Sequence, residues 1–220
     1  MNYRDVRNLI EEGEGYDVEF KRRVSAPEKI ARTLIAFANT KGGYMLFGVD
    51  DDGSIVGVES EKSEADLIRE AGMLYCEPPI HPRIDIVPFN GKDVIVASVE
   101  ESGDKPHRFT GGNGHPGEAT KVFIRVKDKT VIASKEVVRI LRSERPDAPP
   151  ISIEVGENER RLFRYLETNE RITAGEFAAE VNISRQRATR SLVALVRAGV
   201  LRIHTDERTD YFTLTCDVPE

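Results

Sequence analysis

Between residues 143 and 156 the sequence reads SERPDAPPISIEVG, with Pro146, Pro149 and Pro150 close together. Proline fixes φ and removes a backbone donor, so such a stretch neither continues a helix nor lies inside a sheet. It divides the 220-residue chain into a first domain over 1–145, a linker over 146–156 and a second domain over 157–220. The first piece is long enough to bury a substantial core, and the second can close a small one. No internal repeat or low-complexity segment interrupts either piece.

The first domain alternates helical and extended patterns. YRDVRNLIEE over 3–12 reads as a short helix ended by GEG, and YDVEFKRR alternates as a half-buried strand does. SAPEKIARTLIAFANT predicts a core helix with Ser25 as N-cap and Ile30, Leu34, Phe37 and Ala38 on one face. YMLFGV and SIVGVE read as strands joined by the turn DDDG, and SEKSEADLIREAGMLYC as a helix stopped by Pro78-Pro79. RIDIVPF and DVIVASVE flank Asn90-Gly91, the dipeptide best suited to a tight hairpin. KVFIRV is a further strand, and SKEVVRILRSE closes the domain as a helix. Mixed order and hairpins predict an α+β fold with a mixed sheet rather than a doubly wound parallel one.

Gly42-Gly43 invites comparison with a phosphate cradle. A P-loop runs from strand to helix, so that the helix N-terminus faces the phosphates. Here the order is reversed, since ANTKGG follows a helix and leads into a strand. The pair is expected to be a helix stop. TGGNGHPG over 110–117 reads as a loop between strands, and the four histidines show no metal-ligand spacing. Cys76 and Cys216 are far apart, which supports neither a disulfide framework nor a cysteine zinc site and fits a reducing cytoplasm. No apolar run is long enough for a bilayer, and the start lacks the order of a secretion signal. A net charge of −6 argues against coating nucleic acid by bulk electrostatics, so any such site must be a local basic patch.

The second domain supplies one. ENERRLFRYLETN reads as a helix with Leu162, Phe163 and Leu166 inward, and ITAGEFAAEVN as a shorter one. ISRQRATRSLVALVRAG follows a tight turn with Ser184 as N-cap, and VLRIHTDERTDYFTL reads as two strands around a polar turn. Leu192, Val193, Leu195 and Val196 form the apolar side of the third helix, while Arg185, Gln186, Arg187, Thr189 and Arg190 are expected on its exposed first turns without one acid. Arginine and glutamine are the residue types that read base edges. Arg208, in the turn TDERT, is placed for a phosphate.

Two resemblances follow from these residues. YDVEFKRR, IARTLIAFANTKGGYMLFGVDDDGSIVGVE, DKPHRF and VFIRVKDKTVIAS resemble, in order, the blocks of the Schlafen-type Alba-like domain, also called Alba-2 or divergent AAA, common in bacterial predicted regulators. That resemblance implies a compact nucleic-acid-associated α+β domain, not an ATPase. Some Schlafen relatives are RNA endonucleases with three acids, and the matching positions here are Glu14, Glu19 and either Asp50 or Asp51. Such a cluster could hold Mg²⁺ or Mn²⁺ against a phosphodiester, whereas the alternative is a solvated acidic start and an ordinary turn. Residues 157–216 resemble a winged helix-turn-helix of the kind found in bacterial repressors, whose second motif helix enters the major groove. The combined expectation is a sequence-specific DNA-binding transcriptional regulator that binds double-stranded DNA as a homodimer without a cofactor. The alternative is a metal-dependent nuclease.

Overall fold

The computed structural model describes residues 1–24, 26–111, 120–145, 147–149, 153, 155–206 and 209–215. Expectations about Ser25, most of the loop over 110–117 with His115, part of the proline-rich linker, Arg208 and Cys216 fall outside the described residues. The chain divides into two compact units, Met1–Ala133 and Ser134–Glu220.

In the first unit, α1 (Tyr3–Glu12) starts at a capping box: the Asn2 side chain accepts from Arg4 and Asp5 N–H groups, and the Asp5 carboxylate accepts from the Asn2 N–H. β1 (Val18–Lys21) leads into α2 (Pro27–Asn39), with proline in its first turn, and then into β2 (Gly43–Phe47), which pairs parallel to β1. α3 (Glu61–Leu74) follows, then the two-residue β3 (Cys76–Glu77), β4 (Arg83–Phe89) and β5 (Lys92–Val99). β6 (Arg108–Phe109) pairs with β3, and β7 (Phe123–Val126) forms a hairpin with β8 (Lys129–Ile132). Among the described residues the main sheet has the order β1-β2-β5-β4, with β2, β5 and β4 antiparallel.

Strand alternation builds a layer on each face of this sheet. Val18, Phe20, Leu46, Val94, Val96, Val87 and Phe89 pack toward Val6 of α1. Met45, Phe47, Ile95, Ala97 and Val99 point the other way, against α2 and α3. α2 is buried over most of its circumference, Ile30, Leu34, Ile35 and Phe37 being almost fully enclosed, so it is a central helix and not a surface one. Burying each such side chain contributes about 1.5–3 kcal/mol. The mixed sheet with packed helices is an α+β fold, as expected.

Two local expectations can be compared directly. Asn90 and Gly91 both adopt positive φ, 49° and 81°, as a two-residue hairpin turn between β4 and β5 demands. SIVGVE, however, is not a strand: Ile55 makes only an isolated bridge to Val49. The chain turns away because the Val56 and Gly57 N–H groups both donate to the Gly48 carbonyl, with Gly57 at φ 79°.

The second unit opens with α4 (Lys135–Ser143), followed by α5 (Glu157–Thr168), α6 (Ala174–Glu180), α7 (Arg185–Arg197) and the antiparallel pair β9 (Leu201–His204) and β10 (Tyr211–Leu214). Ile172 adds a bridge to Phe212. Leu162, Leu166, Phe177, Ala188, Leu192, Leu195, Leu201 and Phe212 make its core. α4, which the sequence reading gave to the first domain, lies in this unit and packs on α7. An amphipathic pattern shows that a helix buries a face, not which partner covers it; here Val137, Ile140 and Leu141 are the buried residues.

Candidate nucleic-acid interface

The turn from α6 into α7 is fixed by the backbone. Asn182 takes the left-handed conformation, φ 54°, and the Ile183 N–H donates to the Ala178 carbonyl at 3.0 Å. Ser184 then caps α7, its hydroxyl accepting from the Arg187 N–H at 3.3 Å. One face of α7, with Ala188, Leu192 and Leu195, enters the core, and Arg185, Gln186, Arg187 and Arg190 are exposed. No acid occupies the first turn, and among the described residues none of these arginines has a carboxylate partner. Thr189 departs from expectation. It is 2% exposed and donates to Glu136 Oε1 of α4 at 3.0 Å, so it is not part of the exposed face. Helical spacing places residue 189 on the flank of α7 that α4 covers, a helix the sequence reading had assigned elsewhere.

Arginine at the start of a helix opposes the macrodipole, each charge costing a few tenths to about 1 kcal/mol. Among the described residues Arg185 and Arg187 have no carboxylate partner to offset that cost. The helix N-terminus and the guanidinium groups together present donors and positive charge to an anion.

The acids of the first unit are placed differently. Gly15 bends the chain, its N–H donating to the Val18 carbonyl, and the Glu14 carboxylate accepts from the Phe20 N–H at 2.7 Å. Glu19 pairs with Lys21 at 2.6 Å and with Arg125 at 2.7 Å. Asp50 pairs with Arg22 at 2.9 Å. DDDG is a closed turn: the Asp50 N–H donates to the Ser54 carbonyl, the Gly53 N–H to the Asp50 carbonyl, and the Ser54 N–H to the Asp52 side chain. The Ser54 hydrogen bonds hold the Asp52 carboxyl below its usual range. Asp51 is exposed in this turn. Among the described residues no three His, Cys, Asp or Glu side chains gather to hold a metal ion. With Glu19 engaged by two cations and Asp50 by a third, these carboxylates do not fit a Mg²⁺ or Mn²⁺ site.

Gly42-Gly43 is a helix stop. The Gly42 N–H returns to the Phe37 carbonyl at 3.0 Å with φ 77°, and a Cβ on Gly42 would lie 2.6 Å from the Val99 carbonyl oxygen. A Cβ on Gly43 would lie 2.6 Å from both the Asp17 carbonyl oxygen and the Phe37 ring. The glycines permit close packing of backbone on backbone, as a helix stop at this point requires.

Comparison with known proteins adds a family. The model of the family described as Schlafen, AlbA_2 matches residues 14–134, more than half of the chain. The chain belongs to the Schlafen, AlbA_2 family. The match ends where the first structural unit ends, within one residue. Among solved structures, the DIP2311 protein of Corynebacterium diphtheriae is similar with a TM-score of 0.51 at 15% identity, covering 86% of this chain and 36% of that one. The chain thus spans about a third of that protein. The N-terminal domain of a RecG-related protein from Nitrosomonas europaea, named for an ATP-dependent DNA helicase, has 27% identity and a TM-score of 0.39, covering 58% of this chain and 94% of that one.

Two polar residues hold the Schlafen, AlbA_2 domain together, and sequence reasoning missed both. Arg125 on β7 has a fully buried side chain lying over the Phe37 ring, 5.1 Å from its centroid. All five of its N–H donors are used: Nε to the Tyr16 carbonyl, Nη1 to Glu19 and Thr130 Oγ1, Nη2 to the Gly15 and Asp128 carbonyls, at 2.7–3.2 Å. Asn39, 1% exposed at the end of α2, donates to the His107 and Phe123 carbonyls and accepts from the His107 N–H at 2.7 Å. His107 lies between the Pro78 carbonyl and the Ser102 hydroxyl, and burial pushes its imidazole down. The available signal was an arginine inside the apolar run VFIRV and an asparagine closing an apolar helix, since a polar residue in a core position requires partners.

Among the described residues no helix is long and apolar enough to cross a membrane.

Proposed function

We propose that this protein is a sequence-specific DNA-binding regulator in which the second unit is a winged helix-turn-helix. In this reading α6 and α7 form the helix-turn-helix, α7 enters the major groove, and β9 with β10 forms the wing. Arg185, Gln186, Arg187 and Arg190 read base edges, with Ser184 and the helix start at a phosphate and Arg208 beside the groove. The observation that carries the reading is the group of exposed arginines at the positive end of α7, which have no carboxylate partner among the described residues.

The Schlafen, AlbA_2 domain contributes nucleic-acid contact, a sensing surface or a dimer interface. The name of the RecG-related relative supports the nucleic-acid link for this domain. A homodimer on a two-fold symmetric site multiplies the discrimination of one half-site. Selection of bound duplexes from a random pool tests the proposal. A single enriched motif, relaxed in selections with Arg187→Ala, is the expected result, and no enrichment with the wild-type chain would refute it.

A further inference from the structure

The DNA-binding reading leaves α4 without a role, although this helix is fastened beside the helix proposed to read bases. Three contacts fix it within the second unit. Glu136 accepts from the buried Thr189 hydroxyl of α7 at 3.0 Å, and the Ser134 hydroxyl, which also caps α4, bonds Asp210 at the start of the β10 segment. Val137, Ile140 and Leu141 bury the inner face. Further along, Arg197 of α7 donates to the Pro149 carbonyl at 2.8 Å, so the chain leaving α4 is also tied to α7. The contact that takes Thr189 off the exposed face of α7 is thus one of those that hold α4 along its flank.

The outer face of α4 is a row of cations. Lys135, Arg139 and Arg142 follow the spacing i, i+4, i+7 and share one side of the helix, opposite the buried residues. Lys135 and Arg142 are exposed and Arg139 is half-buried. Among the described residues none of the three pairs with a carboxylate, and Glu136, next to Lys135, accepts from Thr189. An ordinary solvated helix face mixes signs at this spacing, because i, i+4 pairs of opposite charge stabilise it. Over seven residues the row extends about 10 Å, enough for roughly three phosphates at 3.4 Å of axial rise per strand.

We infer that α4 is a second DNA-contacting element, and that Lys135, Arg139 and Arg142 bind the phosphate backbone flanking the groove that α7 enters. The inference rests on the DNA-binding reading and adds to it a sequence-independent grip. Phosphate contacts of this kind position the protein and release counterions without reading bases.

The test is the salt dependence of binding by the full chain to the duplex obtained by selection. Each phosphate contact adds about 0.9 to the magnitude of the slope of log K against log salt. The triple variant Lys135→Ala, Arg139→Ala, Arg142→Ala should lower that magnitude by about 2 to 3 and leave the ratio between selected and scrambled duplexes unchanged. The variant Arg139→Lys, Arg142→Lys, which keeps the charges, should retain the wild-type slope. An unchanged slope in the triple variant, with Arg187→Ala still relaxing sequence preference, overturns the role of α4 and leaves the DNA-binding reading standing. A wild-type chain that selects no duplex overturns both. Equal amide exchange in α5, α6 and α7 of wild type and triple variant would show that any lost slope is not lost fold.

Discussion

Replacing Arg125 by methionine is the most demanding test of how the first unit is held together. Methionine preserves much of the side-chain volume and the contact with Phe37, so the change isolates the guanidinium. Its removal takes a donor from the Gly15, Tyr16 and Asp128 carbonyls, the Thr130 hydroxyl and Glu19, while Glu19 keeps Lys21. Breaking a buried ion pair from one side costs about 3–5 kcal/mol, and summing separate penalties for every acceptor would overshoot, because water can enter the space. We therefore expect a loss of about 4 kcal/mol, a large fraction of the roughly 5–15 kcal/mol by which an ordinary domain is stable. Glu19→Gln retains an acceptor for Nη1 and should cost less, about 1.5–3 kcal/mol, the scale of a hydrogen bond to a charged group. The double variant with both positions as methionine should be more stable than the sum of the single losses predicts, by at least about 1 kcal/mol, since neither charge is then left unpaired. Because the chain has two compact units, the suitable assay is native-state amide exchange, following Val18–Lys21, Gly43–Phe47 and Phe123–Val126 against α5 and α7 as internal reference. A change below about 1 kcal/mol in the strands, or an equal change in the reference helices, would refute the argument.

On selected DNA, Arg187→Ala should cost about 1–3 kcal/mol and relax base preference, whereas Arg160→Ala on α5 should matter little; equal effects of the two would remove α7 as the reading helix. Incubation with labelled RNA and DNA in Mg²⁺ or Mn²⁺ should give no cleavage that depends on Glu14, Glu19 or Asp50, and loss of cleavage on Glu19→Gln in a folded protein would restore the nuclease alternative. Burial holds the His107 imidazole below its ordinary value of 6.5, so the unfolded chain takes up a proton first. Stability from neutral His107 is complete above that value and lost as pH falls through it toward the depressed folded value; exchange-derived stability of the first unit should show this decline between pH 8 and 5, and His107→Gln should flatten it. Gly43→Ala should destabilise the first unit without altering nucleotide binding, because the added Cβ meets the Asp17 carbonyl and the Phe37 ring; a phosphate cradle would instead change affinity for ATP.

The sequence was most legible where a single local rule decided the structure. Asn90-Gly91 makes a hairpin because both residues need positive φ, and Gly42 ends α2 for a related reason. Legibility failed where the deciding contact joins residues far apart. The period of α4 could not show that its cover is α7, and so Thr189, polar and at the correct spacing for the exposed face, was misplaced by one missing neighbour. The surroundings of Glu19 and Asp50 were hidden for the complementary reason: carboxylate type is compatible with a metal or with an ion pair, and Arg125 and Arg22 arrive from elsewhere in the sequence, while Lys21 lies two residues along the same strand. Two-residue strands such as β3 and β6 carry too few residues for any period to be read.

A chain of net charge −6 can still bind a polyanion, provided that its cations act together over distances at which the acids do not. From Arg185 to Arg190 the rise along α7 is about 7.5 Å, and the screening length at physiological salt is about 8 Å. The exposed arginines of the first two turns therefore form one patch, while acids farther away than a screening length contribute little to the field a phosphate meets there. Such a patch is too small to hold any duplex firmly by charge alone, so affinity must depend on base contacts and on whatever further phosphates the unit can reach. Weak non-specific binding, with a shallow salt slope set by the few phosphates the patch can reach, is the expected consequence. For the proposed regulator this has a use, because less of the protein is held by the excess of non-specific sites that compete with a specific one.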